Sequence, residues 1–290
     1  MKKLVGILLL ISLTAAMFAA CSGNNTSAFD SRKDIVVVSR EDGSGTRGAF
    51  IELFSIEQKN DDGTKKDLTT KEAIIAKQTD VMMTNIAGNP YAIGYISLGS
   101  LNDTVKALQI DGVTPTAENV KNGTYAIARP FNIATKDEAS ELAEDFIGFI
   151  LSADGQAVIA GSYIAVDEDA PAYTGAKPSG KIVVAGSSSV TPIMEKLKEA
   201  YLAINPGATI EIQMSDSSAG ITGTIDGTCD IGMASRELKD SELAQLSSTR
   251  IALDGIAVIV NHESPMTNLT KEQIKAIFTG ETFTWGEVIK

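Results

Sequence analysis

A chain of 290 residues is long enough for two domains or one large one. With 43% hydrophobic and 21% charged residues, it has the composition of a globular protein without a disorder-prone block. A formal charge of −12 argues against nucleic-acid binding, and an anionic ligand would gain nothing from the overall field and would need a local, hydrogen-bonded pocket.

In chain order, Lys2 and Lys3 precede an apolar run from Leu4 to Leu13 and then small residues up to Ala20. Residues 1–20 therefore read as an export signal, too short in its apolar part for a membrane helix. Ala19-Ala20-Cys21 resembles a bacterial lipobox, which implies lipidation of Cys21 and anchoring to the outer face of the cell membrane. Residues 21–29 form a tether of Ser, Gly, Asn and Thr character. Without Lys2 and Lys3, 23 basic residues face 37 acidic ones, a formal charge of about −14. Cys229 is left without a disulfide partner and reads as a buried small residue; with His262 as the single histidine, no structural zinc site is expected. No metal or cofactor is called for.

Strands alternate with amphipathic helices beyond the tether, the pattern of an α/β fold. Ile35–Val38 reads as a strand, followed by a Gly-rich turn and a helix through Phe50, Ile51, Leu53 and Phe54. Capping-box spacing in Thr69-Thr70-Lys71-Glu72 predicts another helix start. Tyr91–Ile96 and Val105–Ile110 are predicted strands, and Ala139–Leu151 a helix with one apolar face. Residues 167–180 carry two prolines and two glycines without periodicity and read as a linker. Beyond it, Ile182–Ala185 predicts a strand, and Ile193, Leu197, Tyr201 and Ile204 one helix face, with Thr191 as cap and Pro192 at the first position. Ile256–Val260 reads as a buried strand, and Thr270-Lys271-Glu272-Gln273 opens a last helix.

Three segments share one design, in which hydroxyl residues and glycines lead into a helix: Ser39–Arg47 (SREDGSGTR), Gly186–Ser189 (GSSS) and Asp216–Ile221 (DSSAGI). A helix N-terminus offers unpaired N–H groups and partial positive charge, so each is a candidate anion site, although Ser-rich turns are commonly plain N-caps. Arg40 would add a charged donor pair suited to a tetrahedral oxyanion, with Asp42 placed to brace it. Arg47 and Arg236 read equally well as contributors of charge or as solvated surface residues. An enzyme is disfavoured: the chain lacks G-x-S-x-G and G-x-x-x-x-G-K-[ST], and one histidine leaves little for a triad.

SREDGSGTR, AGSSSVTP, DSSAGI, DIGMASRELK, GIAVIVN and NPYAIGYISLGSL resemble segments of the substrate-binding proteins of bacterial phosphate ABC importers. The resemblance covers nearly all of the chain after the signal, but in the common family order AGSSSVTP precedes SREDGSGTR, so this chain reads as a circular permutation joined through residues 167–180. It implies a type II periplasmic-binding-protein-like α/β fold. Two lobes, 30–127 plus 263–290 and 128–262, would be joined by hinge strands near Ile256–Asn261 and Phe131–Thr135. It also implies capture of inorganic phosphate and delivery to the importer's permease subunits. Carried over by motif, Ser188, Ser189 and Ser217 would bind phosphate from one lobe and Arg40, Ser44, Gly45 and Thr46 from the other. Ser235 falls where some family members have an aspartate that accepts a proton from phosphate. Asp254 is the candidate to replace that acceptor. A binder of another oxyanion, or a sensing or adhesive surface lipoprotein of the same fold, is the competing expectation.

Overall fold

A computed structural model of the chain describes residues 29–60 and 65–289. The expected signal peptide, Cys21 and the tether up to residue 28 lie outside the described residues. No described helix is long and apolar enough to cross a membrane. The described strands are β1 (Val36–Arg40), β2 (Glu57–Lys59), β3 (Lys65–Asp67), β4 (Ile74–Ala76), β5 (Ala92–Ser97), β6 (Lys106–Ala107), β7 (Gln109–Ile110), β8 (Ala128–Thr135), β9 (Ile164–Ala165), β10 (Gly180–Ser187), β11 (Ala208–Ser215), β12 (Ile231–Ala234), β13 (Ser247–Val260) and β14 (Asn268–Leu269). The main sheet runs β11-β10-β12-β8-β13-β5-β1-β4.

Strand β13 organises this sheet. Its first part, up to Gly255, pairs antiparallel with β8; from Ile256 to Val260 it pairs with β5. Two hydrophobic cores lie on either side of the changeover. The first gathers Val38, Met82, Ile86, Ile96, Ala257 and Ile259; the second gathers Phe131, Phe146, Leu197, Tyr201, Met233 and Ile251. The chain crosses between cores at Asp254–Ile256 and, on the neighbouring strand, at Ile127–Arg129, where the Ile256 amide donates to the Ile127 carbonyl at 2.8 Å. The hinge expected near Phe131–Thr135 is therefore displaced, since Phe131 and Ile133 already belong to the second core. Residues 256–260, expected in the 128–262 lobe, pair and pack with the first.

Each core is flanked by parallel pairing: β1 with β4 and β5, and β10 with β11 and β12. Parallel strands need crossover connections, and here helices supply them. Thr191–Ile204 buries Ile193, Met194, Leu197 and Tyr201, each stabilising the fold by ~2 kcal/mol. Its start differs from expectation: Val190 is the cap residue, and Thr191, already helical, donates its hydroxyl to the Ser187 carbonyl at 3.1 Å. The expected helix near Thr69 is absent. Thr70 Oγ1 instead accepts from the Glu72 amide in a short turn, and the chain continues into β4, because an edge pairing with β1 is available there. The predicted strand Val105–Ile110 breaks at Leu108 into β6 and β7, which pair with β13 and β14 respectively.

The C-terminal stretch packs against elements of the first lobe. Lys271–Thr279 is the helix expected after Thr270 and opens with a capping box on it, and Phe278 meets Phe50 with ring centroids 4.7 Å apart. Trp285 is fully buried and donates Nε1–H to the Tyr91 carbonyl at 3.1 Å. Residues 167–180 are irregular, as expected, and tied to the second core. Asp145 accepts from the Ala176 amide at 2.9 Å and from the Tyr201 hydroxyl at 2.6 Å, and Asn205 donates to the Pro178 carbonyl at 3.0 Å.

Helix Ser217–Asp226 sits so close to β10 that a Cβ on Gly220 would lie 2.5 Å from Gly186 Cα and 2.6 Å from the Ala185 carbonyl oxygen. Both contacts are backbone and cannot give. Gly220→Ala is expected to destabilise the protein by about 2 kcal/mol, measured as a lowered midpoint in urea unfolding.

Candidate functional site

Side chains converge where the parallel strands end. Arg40 is the last residue of β1 and Ser187 the last of β10; Ser217 follows β11, Ser235 follows β12 and Thr79 follows β4. In open α/β sheets this carboxyl edge is where ligands bind, because helices begin there and point their N-termini at the crevice. The helices Gly45–Leu53, Thr79–Ala87, Thr191–Ile204 and Ser217–Asp226 all start at this edge.

Arg40, only 1% exposed, is the one charged side chain in the cluster's interior. Its guanidinium donates from Nε and Nη2 to the two oxygens of Glu41 at 2.9 and 2.8 Å, and from Nε to the Ala76 carbonyl at 3.1 Å. Across to the other lobe, Nη2 reaches Ser188 Oγ at 3.0 Å; within its own lobe, Nη1 approaches Thr79 Oγ1 at 3.5 Å. The Arg40 amide in turn donates to the Tyr95 hydroxyl at 3.2 Å, which also pairs with Ser39 Oγ at 2.9 Å. Tyr95 lies in the predicted strand Tyr91–Ile96 and is not singled out as a site residue from sequence. It is stacked on Phe50 at 3.8 Å, and its burial raises its pKa against the pull of Ser39, the Arg40 amide and the two arginines, so the hydroxyl stays neutral.

The rest of the cluster is hydroxyl on hydroxyl. Thr46 Oγ1 meets Ser189 Oγ at 2.8 Å and Ser235 Oγ at 3.5 Å. Ser235 Oγ also accepts from Ser187 at 3.0 Å and lies 3.4 Å from Ser217 Oγ, whose oxygen accepts from the Ser235 amide at 3.1 Å. Thr79 Oγ1 stands 3.4 Å from both Ser188 and Ser189. All these residues are buried. A Cβ on Gly45 would lie 2.5 Å from Ser217 Oγ and 2.8 Å from Ser235 Oγ, so glycine is what lets the first lobe's helix start approach the second lobe's hydroxyls. The backbone closes the same gap, the Ser218 amide donating to the Gly43 carbonyl at 3.2 Å.

Of the residues singled out from sequence, Arg40, Gly45, Thr46, Ser188, Ser189, Ser217 and Ser235 come together here. Ser44 lies beside them as a cap, its Oγ accepting from the Arg47 amide at 3.3 Å. Asp42 does not brace Arg40. Its carboxylate is exposed and pairs with Arg47 at 2.8 Å, while Glu41 holds Arg40. Asp254 makes no bond to the cluster; it sits where the lobes join, 3.0 Å from Arg129 and 3.3 Å from the Gly99 amide. Arg47 and Arg236 are neutralised by Asp67 and Glu242, each at 2.8 Å. Sequence reasoning missed Glu41, Ser187 and Thr79. Ser187 stood inside a quoted motif, but Thr79 follows Gln78 with no glycine or serine run to mark it.

Chemically the site is a donor-rich nest with one guanidinium and no nucleophile–base pair. Cys229 lies elsewhere, a buried thiol whose pKa burial pushes up. First-turn amides have no acceptor within their own helices, and hydroxyls can turn to donate. Together they suit a small, compact anion with several acceptor oxygens.

The PBP superfamily domain model matches residues 13–154 and 171–289. The chain is 52% identical over 277 residues to the phosphate-binding protein PstS 2 of Streptococcus agalactiae serotype V, covering 94% of each. It superposes with a TM-score of 0.70 and 46% identity on the crystal structure of a phosphate-binding protein of a phosphate ABC transporter from Streptococcus pneumoniae, covering 88% of this chain and 99% of that one. With the phosphate-binding protein PstS of Staphylococcus haemolyticus the match is 39% over 111 residues, 36% of this chain and 35% of that protein.

Asp67 pairs with Arg47, whose Nη1 also donates to the Arg40 carbonyl at 2.7 Å. Burial alone would raise the Asp67 pKa, but bonds from the Thr69 hydroxyl and amide and from Arg47 outweigh that and lower it. A folded-state pKa below the unfolded value adds stability that is present at neutral pH and fades as pH falls through the folded pKa. Asp67→Asn is expected to cost about 1 kcal/mol at pH 7 and progressively less below pH 4, read from urea unfolding of both proteins across that range.

Proposed function

Because the chain belongs to the PBP superfamily and, within it, to the family of the phosphate-binding proteins that it matches along nearly its whole length, we propose that it captures inorganic phosphate between its two lobes. It does so outside the cytoplasm, tethered through a lipid on Cys21, and passes the ligand unchanged to the permease subunits of an ABC importer. The single observation that carries this reading is the buried Arg40 guanidinium, bonded to Ser188 of the opposite lobe and set among hydroxyls from both lobes where four helices start. Phosphate has four oxygens to accept from such a nest. The hydroxyl–hydroxyl bonds seen here are the ones it would replace.

In this reading Arg40, Gly45 and Thr46, with Thr79, close from one lobe, and Ser187, Ser188, Ser189, Ser217 and Ser235 from the other. Ser44 supports the helix start, and Glu41 keeps Arg40 extended toward the ligand. The segment order also fits the family. The match to the S. agalactiae protein runs through the whole chain, so that protein has the same order, whereas the match to the S. haemolyticus protein stops after about a third. A rearranged order would split a continuous alignment in that way.

A second reading, a receptor for oxyanions in general, draws on Ser235 and Glu41. The one carboxylate touching the cluster is bonded through both oxygens to Arg40, so no free charged acceptor is present among the described residues to repel fully ionised sulfate. Ser235 and its neighbours can still accept phosphate's proton as neutral partners.

Calorimetric titration of the purified, phosphate-stripped protein separates these. One-to-one phosphate binding is expected, weakened at least ~100-fold in Arg40→Ala, with sulfate bound about 10-fold more weakly than phosphate, the value of one neutral hydrogen bond. Equal affinity for the two ions would favour the general receptor. A folded sample that binds no phosphate would overturn the proposal.

A further inference from the structure

Where β13 changes partner, the lobes share a second buried polar cluster that the oxyanion site does not use. Asp254 and Arg129 are register partners on β13 and β8, 1% and 3% exposed, joined Oδ2 to Nη2 at 3.0 Å. Asp254 Oδ1 also accepts from the amide of Gly99, in the turn Leu98–Ser100 that follows β5 of the first lobe. From the second lobe, the Tyr163 ring presses on that turn: a Cβ on Gly99 would lie 2.2 Å from Tyr163 Cε1. Phe131 lies under both groups, 5.3 Å from the Arg129 guanidinium and 5.2 Å from the Tyr163 ring.

What marks this cluster is how much of it is unpaired. Arg129 Nε and Nη1, Tyr163 Oη, Ser97 Oγ and Ser100 Oγ have no hydrogen-bond partner among the described residues. Burial, with the nearby Asp254 charge, raises the Tyr163 pKa to about 12, so the phenol keeps its proton. The Ser97 and Ser100 hydroxyls lie close enough to temper that rise, yet form no bond of acceptable geometry with it. Buried polar groups are normally satisfied, and an unpaired one loses its hydration without recompense. Tyr163 and the Leu98–Ser100 turn meet across the junction of the lobes, so parting that contact would return their hydroxyls to water.

We propose that this cluster is a built-in opening device: Tyr163, Ser97 and Ser100 oppose lobe closure through the hydrogen bonds they forgo, and so set how readily a bound oxyanion is released. The inference rests on the phosphate-capture reading for its ligand, but the hinge effect exists in the ligand-free protein too. Removing an unpaired hydroxyl while keeping its shape favours the closed arrangement.

The test compares wild type with Tyr163→Phe, Ser100→Ala and Gly99→Ala, in titration and stopped-flow release of inorganic phosphate. The same variants carry spin labels on Asn85→Cys and Glu199→Cys, one in each lobe, to give the inter-lobe distance without ligand. Tyr163→Phe and Ser100→Ala are expected to bind phosphate about 3- to 10-fold more tightly, through slower release, and to shift the ligand-free distances shorter. Gly99→Ala, whose methyl meets the Tyr163 ring, is expected to do the reverse. A folded Tyr163→Phe with unchanged or weaker affinity and an unchanged distance distribution would overturn the inference. Should wild type itself fail to bind phosphate, the capture reading falls, and the distance distributions alone decide the hinge role.

Discussion

A guanidinium cannot be taken out of water without partners for its charge and its N–H groups, and the requirements of Arg40 organise the rest of the molecule. Glu41 neutralises it through both oxygens, the Ala76 carbonyl fixes the angle of its stem, and Tyr95 holds its backbone. Each of these lies in the first lobe. What remains of the guanidinium turns outward to Ser188 and Thr79. Thr79 belongs to the same lobe, so it is Nη2 that must be completed from the far side, by a hydroxyl of the second lobe or a ligand held by one. Lobe association and ligand capture are, on this view, the same event.

That dependence also explains why segment order matters so little. Every residue of the cluster sits at or just past the carboxyl end of a parallel strand or in the helix start that follows it, so its position is set within one strand–turn–helix unit. The units are brought together by the sheet, through β8 and the long β13, whatever the order in which the chain visits them. Residues 167–180 need only bridge β9 to β10 on the second lobe, where Asp145 and Asn205 pin them down. Chain closure there costs nothing at the site. It lies at the opposite end of β10 from Ser187.

The same locality determines what could be read from sequence. The three hydroxyl-rich helix starts were legible because their chemistry is contiguous, and resemblance to a family tied them together. The alternation of β13 with its buried run was legible as a strand, but not its 14-residue length or its change of partner, since partners are not written in a strand's own residues. Thr79 was hidden because a single threonine at a helix start looks like any other; only the pairing of β4 beside β1 carries it to Ser188. Asp42 was expected to brace Arg40 because it stands two residues on in the same motif. The strand ends at Arg40, however, and the turn that follows swings Glu41 alongside the guanidinium and Asp42 out to Arg47. Asp254, expected to face the oxyanion, lies instead where its strand passes between lobes, with Arg129 directly opposite.

Charge balance gives the two buried clusters complementary roles. The chain as a whole is acidic, and within the oxyanion site Glu41 already cancels Arg40, so an arriving dianion meets little net positive charge. Its stabilisation must come from oriented dipoles, the hydroxyls and first-turn amides of both lobes, which act only at contact distance and only when the lobes are together. Such a site grips strongly when closed and weakly when open. A receptor built this way is in danger of never letting go, the more so as its own hydroxyls pair across the gap. The Arg129–Asp254 cluster supplies the counterweight at the other end of the same closing motion. Groups left unpaired there stand against groups satisfied at the oxyanion site, and the difference between the two fixes how firmly the lobes stay shut.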